Sequence, residues 1–178
     1  MKKLLVILTA VLAINQLAVA QQEQKHDIRA GLIFQKSQYL YLENGVGFDY
    51  SSTDILQKKI HFKAAYISSR LGSAMSSNAI KQDNFVVGAD WRFRSDKSLQ
   101  LLAGINTGLF IADYEDPTFD VLPNTAMLFS IEAGLSYNFD FPITTSLTAG
   151  YNIKNGNGVD VPGSLFPVFY RLSVYYRL

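Results

Sequence analysis

From Asp27 onward, the dominant pattern along the chain is alternation between apolar and polar side chains with a period of two. In residues 85–94, the apolar side chains of Phe85, Val87, Trp91 and Phe93 share one face, and the other face is mostly polar or small, with Val86, Gly88, Asp90, Arg92 and Arg94. Such alternation indicates β-strands with one apolar face. Seven strands are predicted in this way, at residues 27–35, 59–67, 85–94, 99–109, 127–139, 145–153 and 169–178.

An eighth strand is predicted between Tyr39 and Tyr50, centred on the sequence VGFDY. Within this stretch, Asn44-Gly45 is compatible with a turn or with a bulge in a longer strand. The connections after the second, fourth and sixth strands are short (51–57, 95–97 and 140–142), whereas those after the third, fifth and seventh are long (68–81, 111–124 and 155–167). Short turns at one end and long loops at the other are typical of outer-membrane barrels.

A soluble lipocalin-like barrel alternates too, but with its apolar face inward. Three features favour a membrane barrel instead. The apolar faces of the last six predicted strands carry no charge, and the opposite faces are rich in Gly, Ser, Thr and Asn, which suit a crowded lumen. Aromatic residues lie near the strand ends and aliphatic residues between them, which is the order that headgroups and hydrocarbon select. The expected fold is therefore all-β, a single eight-stranded antiparallel up-and-down transmembrane β-barrel formed by residues 21–178.

The first twenty residues differ from the rest. Lys2 and Lys3 precede the apolar run 4–13, and Ala18-Val19-Ala20 forms a small-residue cleavage pattern before Gln21. Residues 1–20 are therefore predicted to be a signal peptide that is cleaved on export. The sequence contains no cysteine, which excludes a disulfide framework and a lipidated cysteine anchor.

The mature segment is long enough for one domain and is nearly neutral. Without Lys2 and Lys3, 14 of the 16 basic residues remain against 15 acidic ones. This balance gives no indication of a nucleic-acid partner.

The last strand keeps its alternation up to the terminus, through Tyr170, Leu172, Val174, Tyr176 and Leu178. This spacing resembles the C-terminal targeting strand of Gram-negative outer-membrane proteins, which usually ends in an aromatic residue where this chain has Leu178. The whole mature chain resembles the small eight-stranded barrels of the OmpA/OmpX/opacity-protein type. The resemblance implies an outer-membrane location with periplasmic turns and extracellular loops, lipids of that membrane as surroundings, and recognition of the last strand by the barrel-assembly machinery.

Strand parity places seven charged residues on the polar face that would line the lumen: Arg29, Lys63, Asp90, Arg92, Glu132, Arg171 and Arg177. Buried charges are expected to pair. Glu132 is predicted to accept hydrogen bonds from Lys63, Arg171 or both, with Asp90 as the only other acid at depth. Because eight strands leave room for side chains alone, these residues predict a structural plug, with a narrow gated pore as the alternative.

No catalytic, cofactor-binding or metal-binding residues are predicted. Two small outer-membrane barrel types act on lipid A, a deacylase and a palmitoyltransferase, and both need a histidine and a serine at the outer side. His26 precedes the first strand, and His61 is predicted to face the lumen near the turns as a structural residue, so neither forms a base–nucleophile pair. The acids in 112–120 (Asp113, Glu115, Asp116 and Asp120) could bind calcium, but their spacing is not that of an EF-hand, which favours a solvated loop.

These observations predict a non-enzymatic outer-membrane protein with a structural or surface-interaction role, such as envelope integrity, adhesion or contact with an extracellular ligand. A lipid-modifying enzyme is the alternative.

Overall fold

The computed structural model describes residues 25–37, 41–69, 80–114, 124–155 and 167–178. The predicted signal peptide lies outside these residues. The strands are β1 (His26–Ser37), β2 (Tyr41–Ser52), β3 (Ile60–Ser68), β4 (Ile80–Phe93), β5 (Leu99–Tyr114), β6 (Thr125–Asn138), β7 (Ile143–Asn155) and β8 (Val168–Arg177). Each pairs antiparallel with the next, and β8 pairs with β1 to close the barrel. Within the described ranges, no helix has the length and hydrophobicity of a membrane span.

The terminal strand is used to its last residue. The register of β8 against β1 runs from Arg177 opposite Arg29 to Phe169 opposite Ser37, and the Leu178 N–H donates to the Ile28 carbonyl at 2.9 Å. Closure leaves no free sheet edge. A free edge would be unfavourable in hydrocarbon, because its backbone N–H and C=O groups would have no hydrogen-bond partners there.

The exterior is apolar and the interior polar. Among outward side chains, Ile105 is 67% exposed, Ile131 60% and Leu147 59%, whereas most of the buried side chains in the barrel are polar or charged. Outward aromatics lie near one end (Trp91, Phe93, Tyr137, Phe139 and Tyr176) and near the other (Phe34, Tyr66, Phe85, Phe129, Tyr151 and Tyr170). This arrangement is the reverse of a soluble barrel and rules out the lipocalin-like alternative.

We call the end with the short connections 53–59, 94–98 and 139–142 the turn end, and the opposite end the loop end. Strand β2 is a regular strand over its whole length. Asn44 pairs with Phe34 and Gly45 with Ile33 in the same register as their neighbours, so Asn44-Gly45 forms neither a turn nor a bulge.

Strands β4 and β5 extend about five residues further toward the loop end than the alternation predicted. Lys81 pairs with Asp113 and Asp83 with Ile111, on the outward face. The predicted bounds of β4 and β5 are therefore too short at this end, and the added part of their outer face carries charge. The reason is physical, because alternation persists only where one face meets hydrocarbon, and strand residues above the bilayer can be polar on both faces.

Candidate functional site in the barrel lumen

All seven predicted lumen charges lie on inward positions, and all except Lys63 and Arg177 are buried. The inward face also holds three acids that the sequence reasoning missed, namely Asp27, Glu43 and Asp49. Among the side chains that the structure describes, the lumen therefore contains five acidic and five basic groups (Asp27, Glu43, Asp49, Asp90 and Glu132 against Arg29, Lys63, Arg92, Arg171 and Arg177). Such a balance is what a poorly solvated interior requires.

Two of the three acids were missed for an identifiable reason. Glu43 and Asp49 lie on β2, where Asn44-Gly45 suggested a turn and obscured the parity of the strand. The signal was present in the sequence, because Glu43, Gly45, Gly47 and Asp49 alternate with Leu42, Asn44, Val46 and Phe48, of which only Asn44 is polar. Treated as one strand, this stretch places both acids inside.

The central cluster consists of Lys63, Asp90, Glu132 and Arg171, from four different strands. The Lys63 ammonium binds Glu132 and lies 2.7 Å from Asp90, while Arg171 Nη1 donates to Glu132 Oε2 at 3.2 Å. Glu132 also accepts from Asn106 Nδ2 at 3.1 Å and from Thr148 Oγ1 at 3.0 Å. Its carboxylate is thus saturated by two cations and two neutral donors, and both pairings predicted for it are present.

The guanidinium of Arg171 links this cluster to the next layer. Its Nε donates to Gln35 Oε1 at 2.9 Å, and its Cζ lies 4.7 Å from the centroid of the Phe169 ring. Gln35 in turn donates through Nε2 to Glu43 at 2.7 Å.

Glu43 is fully buried and is held without a neighbouring cation among its hydrogen-bond partners. Its Oε2 accepts from Gln35 and from Ser37 Oγ at 2.9 Å, and its Oε1 accepts from Gln82 and from Asn84 Nδ2 at 3.3 Å. Four neutral donors therefore stabilise this carboxylate in place of an ion pair.

A second ionic group lies toward the turn end around Asp49. Arg92 Nη2 donates to Asp49 Oδ2 at 2.8 Å, and the His61 ring nitrogen lies 2.7 Å from Asp49 Oδ1. Arg92 Nη1 also donates to Ser136 Oγ at 3.1 Å. His61 is therefore a buried, structurally bonded lumen residue at this end.

Asp27 completes the turn-end layer. Arg29 donates to its two carboxylate oxygens at 3.1 and 2.6 Å, and Arg177 Nε lies 3.2 Å from Oδ1. Arg29 also donates to Thr144 Oγ1 at 3.1 Å.

Little space remains between these groups. A void of about 20 Å³ lies among residues that include Lys63, Asp90 and Arg171, and a water molecule needs roughly 10–15 Å³ of such space. Inward glycines make the packing possible, since a Cβ at Gly104 would overlap the Asp90 carboxylate and one at Gly47 would come within 2.9 Å of the Tyr175 hydroxyl.

The remaining candidate residues lie elsewhere. The apolar residues of the terminal strand (Tyr170, Leu172, Val174, Tyr176 and Leu178) do not enter the lumen, and their strand joins β7 to β1. His26, at the turn end, lies 2.9 Å from the Tyr50 hydroxyl. Of the acidic stretch 113–120, only Asp113 is described, on the outer face of β5. No group of His, Asp and Glu side chains suited to a metal occurs in the described ranges.

Comparison with solved structures identifies the fold. The chain matches the crystal structure of Neisserial surface protein A at 14% identity with a TM-score of 0.58, over 89% of this chain and 99% of that one. It matches the N-terminal β-barrel domain of Pseudomonas aeruginosa OprF at 13% identity and a TM-score of 0.59, over 88% and 100%. For the solution structure of P. aeruginosa outer membrane protein H, the values are 14%, 0.55, 85% and 99%.

No protein-family profile matches the chain, and no curated protein matches it in sequence. The fold predicted from the sequence is confirmed: the chain is a small eight-stranded barrel of the outer-membrane type. Its apolar exterior, aromatic girdles and polar lumen are those of an outer-membrane protein. Because short turns are periplasmic and long loops extracellular in barrels of this type, we refer to the turn end as periplasmic and to the loop end as extracellular.

Proposed function

We propose that this chain is a non-enzymatic outer-membrane protein whose lumen is plugged by its own side chains and whose role is structural or interactive. The observation that carries the proposal is the network of ion pairs and hydrogen bonds that fills the lumen. Glu132 and Glu43 each have four hydrogen-bonding partners, Asp49 is held by Arg92 and His61, and the void beside the central cluster is about 20 Å³. Contacts with other molecules would then fall to the surface, through the extracellular connections.

The positions of the two histidines support a non-enzymatic role. The lipid-modifying barrels considered above need a histidine beside a hydroxyl near the outer leaflet. His61 is enclosed in the lumen against Asp49, and His26 lies at the periplasmic end. For assembly, we propose that the outward residues of β8 are recognised by the barrel-assembly machinery.

Conductance tests the plug. The purified protein in a planar bilayer is expected to add no steady current, and stepwise single-channel openings of the native protein would favour the narrow pore. Glu132→Gly, which shortens the central side chain, supplies a sensitivity control in the same assay.

Cells lacking the gene test the role. If cells lacking the gene are more sensitive to detergent, a variant with residues 115–123 replaced by a short turn separates the two roles. Restored resistance indicates a structural role, whereas failure of the variant to restore resistance indicates an interaction through the replaced residues. Mass spectrometry of lipid A completes the test, because a modification that disappears with the gene would overturn the non-enzymatic proposal.

A further inference from the structure

We propose that the periplasmic rim between β2 and β5 carries a binding site for an anionic phospholipid headgroup of the inner leaflet. The site, which we call the rim site, consists of Lys59, Arg94, Leu56 and Trp91. Two periplasmic turns contribute to it, residues 53–59 and residues 94–98. They lie side by side because β3 pairs with β4, and the Arg92 N–H donates to the Lys59 carbonyl at 2.7 Å.

The two cations of the rim site, Lys59 and Arg94, form no ion pair with the acids of their turns. The acid of each turn already has a lysine partner, since Asp54 lies 2.7 Å from Lys25 and Asp96 lies 3.3 Å from Lys97. The hydrogen bond from Lys97 lowers the pKa of Asp96, with a smaller contribution from Arg94. Lys59 and Arg94 are exposed, and no ion pair joins either of them to a residue in the described ranges.

The backbone conformation of the two turns is a second feature that points to a role beyond chain reversal. The described non-glycine residues with positive φ are Leu56 (45°), Gln57 (55°), Lys58 (61°) and Arg94 (55°), and all four lie in these two turns. Left-handed conformations favour glycine or asparagine, which would form such turns with less strain. The chain has leucine, glutamine, lysine and arginine at these positions instead, and strained residues of this kind cluster at functional sites.

Apolar groups beside the cations favour a lipid over a soluble anion. Leu56 is 53% exposed in its turn, and the outward side chains next to the turns include Trp91, Phe93 and Phe62, all more than a third exposed. Aromatic rings of this kind lie at headgroup level, and long basic side chains can reach phosphates there. The third turn, 139–142, has the exposed Asp140 and no basic residue, so the attraction is confined to one sector of the rim.

Trp91 is the sole tryptophan of the sequence and therefore reports on this sector. The protein is refolded into vesicles of phosphatidylcholine mixed with phosphatidylglycerol, in which either lipid in turn carries brominated acyl chains that quench tryptophan. Comparing the two quenching curves gives the relative association of the two lipids next to Trp91. We expect phosphatidylglycerol to be preferred, and the preference to weaken at high salt.

Lys59→Gln and Arg94→Gln are each expected to reduce the preference by roughly fivefold, the contribution of one basic residue near an anionic surface. Lys97→Gln, in the same turn as Arg94 but paired with Asp96, is the matched control and should leave the preference unchanged. Equal association of both lipids with the native protein would overturn the proposal, whether or not the variants fold. An equal loss in Lys97→Gln and Arg94→Gln would overturn it too, because it would show a general charge effect.

Discussion

Glu132→Ala is the substitution that tests the central cluster most directly. It removes the carboxylate that binds Lys63 and Arg171, and it also deprives Asn106 and Thr148 of their acceptor. The described lumen changes from five acids against five bases to an excess of one positive charge. The two cations are affected unequally, since Lys63 retains Asp90 at 2.7 Å.

Arg171 is the group that is left uncompensated. Gln35 and the Phe169 ring remain near it, but neither carries a negative charge, and its side chain is only 8% exposed. Removing one partner of a buried ion pair typically costs about 3–5 kcal/mol. We therefore expect Glu132→Ala to lower the free energy of unfolding by about 3–5 kcal/mol, measured by urea unfolding in lipid vesicles with Trp91 fluorescence as the signal.

Two controls separate charge from packing. In Glu132→Ala with Arg171→Met, both charges of the pair are absent, so part of the lost stability should return. Asp54→Ala removes an exposed partner of Lys25 at the periplasmic end and should leave the unfolding curve unchanged. A loss of less than about 1 kcal/mol for Glu132→Ala, the range of an exposed pair, would refute the account of a desolvated central cluster.

Two further substitutions test the outer face of the barrel and the site of Glu43, whose carboxylate is held by neutral donors. Ala133→Arg should make insertion into vesicles less favourable by about 2–4 kcal/mol. Thr125→Arg, on the same face of β6 but near its extracellular end, should cost about 0–1 kcal/mol. Equal costs for the two variants would contradict the depths assigned to these positions. Glu43→Gln should lower the free energy of unfolding by about 1–3 kcal/mol, because the new amide nitrogen at position 43 would face hydrogen-bond donors. The side-chain amide of Gln35 cannot flip to accept from it without losing the hydrogen bond that Arg171 donates to Gln35. An unchanged urea midpoint for Glu43→Gln would show that the surrounding amides rearrange.

The sequence alone predicts the barrel and its faces because hydrocarbon and lumen impose opposite polarity on alternate residues. That requirement ends where the bilayer ends, so the extension of β4 through Lys81 and Asp83 could not be recognised by alternation. The limits of β2 could not be recognised for a different reason: Asn44-Gly45 is a dipeptide that elsewhere favours turns, although it pairs regularly here.

Parity predicts which residues enter the lumen but not which ones meet across it. The partners of Glu132 were predictable because it lies mid-strand, at the height of Lys63 and Arg171. The contact of Arg92 with Asp49 depends on the stagger of the barrel, that is, on the offset between strands summed around the sheet. Following the paired residues from Asp27 on β1 through all eight strands leads back to β1 at Ser37, ten residues further along. This shear tilts the strands, so that residues hydrogen-bonded across strands lie at different heights.

The lumen layers also bear on where a function can reside. The central cluster neutralises its carboxylates with cations, the layer at Glu43 uses neutral donors, and the layer at Asp49 combines Arg92 with His61. A solute crossing the lumen would have to replace these partners one layer after another, and each broken buried pair costs about 3–5 kcal/mol. The periplasmic rim carries no such cost, because Lys59 and Arg94 are exposed to water. The interior is therefore suited to stability, and the surfaces at the two ends to recognition, which is where we propose that this protein acts.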